Sequence, residues 1–212
     1  MTQFNKAIEQ IDHAHSQDPR LVTPPQTPSA DNDDDNNNGN PEPIPYELHY
    51  ANKMTKYLNK RCPTASETLQ LAIRAQHLRR WEVPRDTYPK TKPGYYAWRS
   101  YLQKRQAEIA QQICLESGYS ERDAERVAAL VRKEGLKQED GETQVLEDVA
   151  CLVFLDDQFE EFERGVEEEK VVEILRKTIV KMSPDGRALA LEVVGGLSER
   201  ARGLVQRALE RI

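Results

Sequence analysis

The sequence predicts an all-α fold, a single helical domain of about eight or nine helices with a disordered acidic insertion near its N-terminus. Three observations carry this. Apolar residues recur at helical spacing almost throughout residues 46–212, Pro184 is the only proline beyond Gly94, and no stretch alternates polar with apolar as a half-buried strand does. A length of 212 residues suits one domain with extensions.

Each element has its own warrant. Within residues 1–19, Phe4, Ala7, Ile8, Ile11, Ala14 and His15 fall at helical spacing ahead of Pro19, which predicts an amphipathic helix that needs a partner surface. Residues 20–45 hold Pro24, Pro25, Pro28, Pro41, Pro43 and Pro45 and an acidic, Asn-rich tract. Such a segment cannot bury enough apolar surface to offset its chain entropy, so it reads as a disordered linker. Thr23, Thr27 and Ser29 flank prolines, so a phosphorylated or partner-binding linker is the alternative. The helical domain, 46–212, then offers helices at 46–59, 66–81, 94–117, 120–134, 142–164, 167–182, 184–194 and 198–211. Gly118 closes one helix and Ser120, with Asp123 three residues on, opens the next.

Composition excludes several function classes. The longest uninterrupted apolar run, residues 149–155, is far short of the roughly 20 residues that span a bilayer as a helix. The acids Glu9, Asp12 and Asp18 and the lack of an apolar core argue against a secretory or transit peptide in the first residues. Cys62, Cys114 and Cys151 are scattered and odd in number, which suits a reducing, cytoplasmic setting with Cys114 and Cys151 as small core residues. Neither G-x-G-x-x-G nor G-x-x-x-x-G-K-[ST] occurs, nor G-x-S-x-G, nor H-E-x-x-H.

Charge is segregated along the chain. The formal charge of -6 belongs entirely to residues 1–45, and residues 46–212 balance 28 basic against 28 acidic side chains. Residues 46–105 carry 13 basic and 4 acidic groups, whereas residues 106–169 carry 6 and 19. The basic stretch also gathers aromatics, so Arg79, Arg80, Trp81, Arg85, Tyr88, Trp98 and Arg99 are candidate ligand contacts: guanidinium groups fork onto phosphate oxygens and rings stack on bases. The plainer alternative pairs these arginines with the acidic helices. On a helix over 66–81, Gln70, Arg74, His77 and Trp81 share one narrow face within an otherwise apolar circumference, the pattern of a helix that lines a cavity. His77 then suits a metal ligand, a general acid or base, a phosphate contact or a structural residue. Asp148 shares the apolar face of its helix with Cys151, Leu152, Leu155 and Phe159, so its carboxylate needs a partner. The helix N-terminus, His77, an arginine of the basic stretch or a metal would each serve.

Several blocks resemble a known family. Tyr50-Ala51-Asn52-Lys53-Met54-Thr55, the run from Arg74 to Trp81, Pro84-Arg85-Asp86-Thr87-Tyr88-Pro89, the run from Leu146 to Leu155, and Leu175-Arg176-Lys177-Thr178 are similar to domain of unknown function 4202, a family of fungi and bacteria. The resemblance covers nearly the whole chain apart from the acidic linker. Members are often labelled glutamyl-tRNA synthetase, yet this chain has neither the parallel nucleotide-binding sheet pattern nor an H-I-G-H-like motif. A weaker similarity is to the HD-domain phosphohydrolases, all-helical metal enzymes. It implies His77 and Asp148 as divalent-metal or proton-transfer residues, with His49 near the position of a first ligand. Leu78 replaces the expected aspartate, and Gln106, in Gln106-Ala107-Glu108, stands where a histidine is expected. The resulting expectation is a phosphorylated or nucleotide-like ligand held between the His77 and Asp148 helices by Arg74, Arg79, Arg80, Trp81, Arg85, Tyr88, Trp98, Arg99 and Glu108, with metal-assisted hydrolysis as an extension. The alternative is a non-catalytic RNA- or protein-binding adaptor that uses residues 74–105.

Overall fold

Spacing and caps decide most elements of this chain locally, and two of the exceptions border one cavity. The computed structural model describes residues 1–24 and 42–212, so most of the linker expected to be disordered lies outside the described residues. Ten α-helices follow in chain order among them: α1 (Gln3–His15), α2 (Tyr46–Arg61), α3 (Glu67–Arg74), α4 (Lys92–Ser117), α5 (Glu121–Val131), α6 (Gly141–Val153), α7 (Phe159–Arg164), α8 (Glu168–Val180), α9 (Pro184–Gly195) and α10 (Glu199–Leu209). Side-chain oxygens of Thr2, Ser66, Thr91, Ser120, Asp140, Ser183 and Ser198 cap α1, α3, α4, α5, α6, α9 and α10 by accepting from otherwise free first-turn amides. Gly118 ends α4 at φ 102, a left-handed conformation that favours glycine.

The core sits where α2, α3, α4, α5 and α6 meet, and α1 closes one side of it against α4 and α3. Met54, Leu58, Leu71, Ile73, Leu102, Leu130, Leu146 and Leu152 are fully enclosed there. α8 and α10 pair with each other, and α9 lies against α6.

Three differences from the sequence expectation matter. Leu21–Val22 (β1) and Ile44–Pro45 (β2) form a two-residue antiparallel clip, too short to leave an alternating pattern, where the linker departs and returns. The helix expected over 142–164 is interrupted by a π-helical turn, Phe154–Gln158, that separates α6 from α7. The helix expected over 66–81 ends at Arg74, and His77 and Arg79 turn left-handed at φ 64 and φ 52. The narrow face proposed for Gln70, Arg74, His77 and Trp81 is therefore broken.

That early end has a tertiary cause. Glu47, 1% exposed at the start of α2, accepts hydrogen bonds from the backbone amides of Arg79 (2.9 Å) and Trp81 (3.0 Å). His15 of α1 donates from Nε2 to the Arg74 carbonyl (2.9 Å), and its Nδ1 faces Glu47 at 3.4 Å. Asp18, held by Arg20, accepts from the Glu47 amide at 3.1 Å. A longer α3 would withdraw two amides from a buried carboxylate, a larger loss than one helical turn gains. Replacing Glu47 by alanine strands those amides and His15, so urea unfolding should show a loss of about 3–5 kcal/mol.

Candidate functional site

The turn after α3 lowers Gln76, His77 and Arg80 into a cavity of about 240 Å³, many times the space one water needs. α4 supplies a second wall through Tyr95, Arg99, Leu102, Gln103 and Gln106, residues that recur at three- and four-residue spacing on one face. Tyr50 of α2, Val131 and Lys133 at and beyond the end of α5, Ala150 and Cys151 of α6, Phe154 and Gln158 of the π turn, and Thr178 and Lys181 at the end of α8 complete the lining. The π turn widens the helix by one residue per turn, and both of its ends, Phe154 and Gln158, face the cavity.

The walls are braced by polar contacts. Gln76 Nε2 donates to the Ala72 carbonyl (3.2 Å), Gln103 Nε2 to the Arg132 carbonyl, and Gln158 Nε2 to the Tyr46 hydroxyl (2.8 Å). His77 stacks on Tyr50, with ring centroids 4.0 Å apart and planes 13° from parallel. Left-handed backbone recurs at Lys133, φ 55, so two of the strained non-glycine residues line the same space.

Electrostatically the cavity is cationic. Arg80 lies over the Trp98 ring at 4.5 Å and Arg99 beside the Tyr95 ring at 5.8 Å, and neither guanidinium has a carboxylate partner among the described residues. Lys133 and Lys181 share a single acid, Glu147, which is 5% exposed; Lys181 Nζ stands 2.7 Å from its Oε1. Burial, and then the cations Arg80 and Lys133, hold the His77 imidazole well below its ordinary value, so it is neutral at neutral pH. Burial lowers Arg80, and Arg99 lowers it further. The Cys151 thiol is pushed up to about 11, mainly by burial, and is no nucleophile at neutral pH.

The sequence-expected residues divide between this cavity and other tasks. His77, Arg80 and Arg99 line it, and buried Trp98 supports Arg80 while donating from Nε1 to the Val83 carbonyl (2.9 Å). Arg74 instead ties α3 to α1 through Asp12 (2.6 Å) and reaches Thr55. Arg79 pairs with Glu82 at 3.7 Å. Arg85 donates to the carbonyls of Tyr88 and Pro89, which fastens its own loop. Tyr88 tilts against Tyr101, Trp81 is half-buried outside the cavity, and Glu108 is exposed beside Lys104.

Asp148 does not reach His77's cavity. Its buried carboxylate accepts from Arg61 Nε (2.9 Å), Gln144 Nε2 (3.0 Å), and the amide (2.8 Å) and hydroxyl of Ser183. It thus binds the C-terminal end of α2 to the start of α9, with an arginine of the basic stretch as the partner. Tyr50, under His77, and Arg61, on Asp148, are eleven residues apart on α2, roughly 16 Å along the axis. The metal centre implied by the HD-like similarity has no donor set here: His49 bonds Asp157, Leu78 is core, and among the described residues no three His, Cys, Asp or Glu side chains are placed to hold a metal.

The family model described as Domain of unknown function (DUF4202) matches residues 5–205. The chain belongs to this family. Comparison with curated proteins and with solved structures finds no match. No helix of the described residues is long and apolar enough to cross a membrane. In this DUF4202 chain the cavity residues that escaped the sequence reading are Tyr50, Gln76, Gln103, Lys133, Phe154, Gln158 and Lys181, with Tyr95 noted only as part of the basic stretch and Gln106 only as a departure from the HD pattern. The four-, four- and three-residue steps from Tyr95 through Arg99, Gln103 and Gln106 were the available signal.

Two consequences can be measured. Burial alone would raise Glu147, but Lys133 and Lys181 hold it down at about 2 against an ordinary 4.5. A depressed carboxylate stabilises the fold above its unfolded value, and the contribution, about 3 kcal/mol, drains as pH falls from about 4.5 to about 2. Urea unfolding across that window should show the loss, and Glu147→Gln should flatten it. At the second anchor, a Cβ on Gly186 would stand 2.5 Å from Asp148 Cγ. Gly186→Ala should therefore lower stability by about 1–3 kcal/mol in the same assay.

Proposed function

We propose that the chain binds a phosphorylated, nucleotide-like small molecule in the cavity between the turn after α3, α4 and the ends of α5 and α8. The observation that carries this reading is the uncompensated charge: Arg80, Arg99, Lys133 and Lys181 converge with only Glu147 to offset them. The half-buried Arg80 guanidinium without an anion is disfavoured, exposed Arg99 stands beside it, and a phosphate supplies the missing oxygens in a fork that fits them. Burial strengthens each such contact relative to the same pair in water. His77, neutral and fixed by its stack on Tyr50, offers one hydrogen bond to the ligand without adding charge.

Metal-assisted hydrolysis is not part of the proposal, because Asp148 is spent on Arg61 and Ser183. The adaptor reading keeps one specific support. Tyr95, Tyr96 and Tyr101 are 40%, 55% and 47% exposed on the basic half of α4, a surface on which single-stranded bases could stack.

Calorimetric titration with pyrophosphate and nucleoside monophosphates decides between them. The wild-type chain should bind, and Arg80→Ala should weaken binding about 10- to 100-fold, the worth of one charged hydrogen-bonded contact. If no phosphorylated compound binds, while single-stranded RNA binds with steep salt dependence and tolerates Arg80→Ala, the cavity reading is wrong and the adaptor stands.

A further inference from the structure

Gln106 is 6% exposed in the cavity wall, and its Nε2 has no hydrogen-bond partner among the described residues. Gln76, Gln103 and Gln158 each spend the same atom on bracing. A buried amide donor left unpaired destabilises the fold that holds it, and a leucine or methionine there would avoid the penalty. Gln10 Oε1, Trp81 Nε1 and Ser117 Oγ are also buried without a partner among the described residues, but of the four only Gln106 lines the cavity, where a ligand group can complete it.

The chemistry of the amide narrows that group. Arg80, Arg99, Lys133 and Lys181 are donors only, and phosphate oxygens satisfy them. A carboxamide presents a donor and an acceptor on one planar edge, which complements an adjacent acceptor and donor on a heterocycle. Distance agrees. Arg99 and Gln106 lie seven residues apart on α4, roughly 10 Å along its axis, so a free phosphate cannot touch both and an extended nucleotide can. Phe154 and the stacked His77–Tyr50 pair supply ring surface in the same cavity.

We infer that the ligand is a nucleotide whose base is read by the Gln106 amide while its phosphate rests on Arg80 and Arg99. This rests on the anion-binding reading above and adds the base and its reader. Gln106 becomes the specificity-determining residue of the site.

The test titrates the full chain with ribose 5-phosphate and with adenosine, guanosine, cytidine and uridine monophosphates, in the wild type and in Gln106→Leu and Gln106→Met. At least one nucleotide should bind the wild type about tenfold or more tighter than ribose 5-phosphate, the discrimination expected of a paired amide edge. Both variants should lose that ratio and keep the ribose 5-phosphate affinity. Without ligand, both should melt at or above the wild-type temperature, by roughly 2–6 °C, because the unpaired donor is gone. Equal affinity for ribose 5-phosphate and every nucleotide overturns the base reading and leaves the anion reading intact, as does a ratio that survives both variants. Failure of every phosphorylated compound to bind the wild type overturns both. A variant that melts lower and loses all binding alike identifies Gln106 as a structural residue and removes the inference.

Discussion

The cavity depends on the buried carboxylate of Glu47. It sits at the first turn of α2, accepts the amides of Arg79 and Trp81, and is itself steadied by His15 and by Asp18 through its own backbone. Without it, residues 75–81 have good helical spacing and every local reason to continue α3. The carboxylate turns that spacing into two left-handed residues and aims His77 and Arg80 away from the α3 axis. α1 and the β1–β2 clip are thereby coupled to the site, since His15, Asp18 and Arg20 all act on Glu47.

Charge segregation along the sequence resolves into two kinds of contact. Part of it cancels in pairs between elements: Lys53 with Asp156 and Asp157, Arg61 with Asp148, and Arg126 with Asp140 and Glu142. The remainder stays uncancelled because its members line the cavity without a carboxylate beside them. Arg80 and Arg99 rest on Trp98 and Tyr95, aromatic faces that tolerate a cation without neutralising it. Neutrality of residues 46–212 in the count is therefore compatible with a strongly positive cavity in space.

How much was legible follows from how local each cause is. Apart from the end of α3 and the division of α6 from α7, helix spans were legible to within a few residues because caps such as Ser66, Ser120 and Ser183 and the apolar spacing act within one turn. The end of α3 was illegible because its causes, His15 and Glu47, lie 59 residues before Arg74 and 32 residues before Arg79. Asp148 was legible as a buried acid in need of a partner, but the choice of Arg61 and Ser183 depends on how α2 meets α9. Arg74 and Arg85 carried the right chemistry for phosphate and are spent on Asp12 and on loop carbonyls. Composition gives residue types, and only the fold divides them into those that brace and those left free.

The free ones are informative because each opposes stability. His77 and Lys133 hold left-handed backbone, Arg80 is desolvated without an anion, and Gln106 keeps an unpaired amide, all around one volume. Each feature disfavours the fold by roughly 1–3 kcal/mol, a sizeable part of the ~5–15 kcal/mol that separates a folded domain from its unfolded chain. Elsewhere the chain leaves only neutral atoms unpaired, those of Gln10, Trp81 and Ser117 among the described residues, and it satisfies the more demanding Asp148 carboxylate with four hydrogen bonds. A sequence able to pair Asp148 so fully has the means to pair Arg80 and Gln106 as well. That it leaves both open in the wall of one cavity, with Arg99 and Gln106 roughly 10 Å apart along α4, is the physical reason to look for the partner in a ligand.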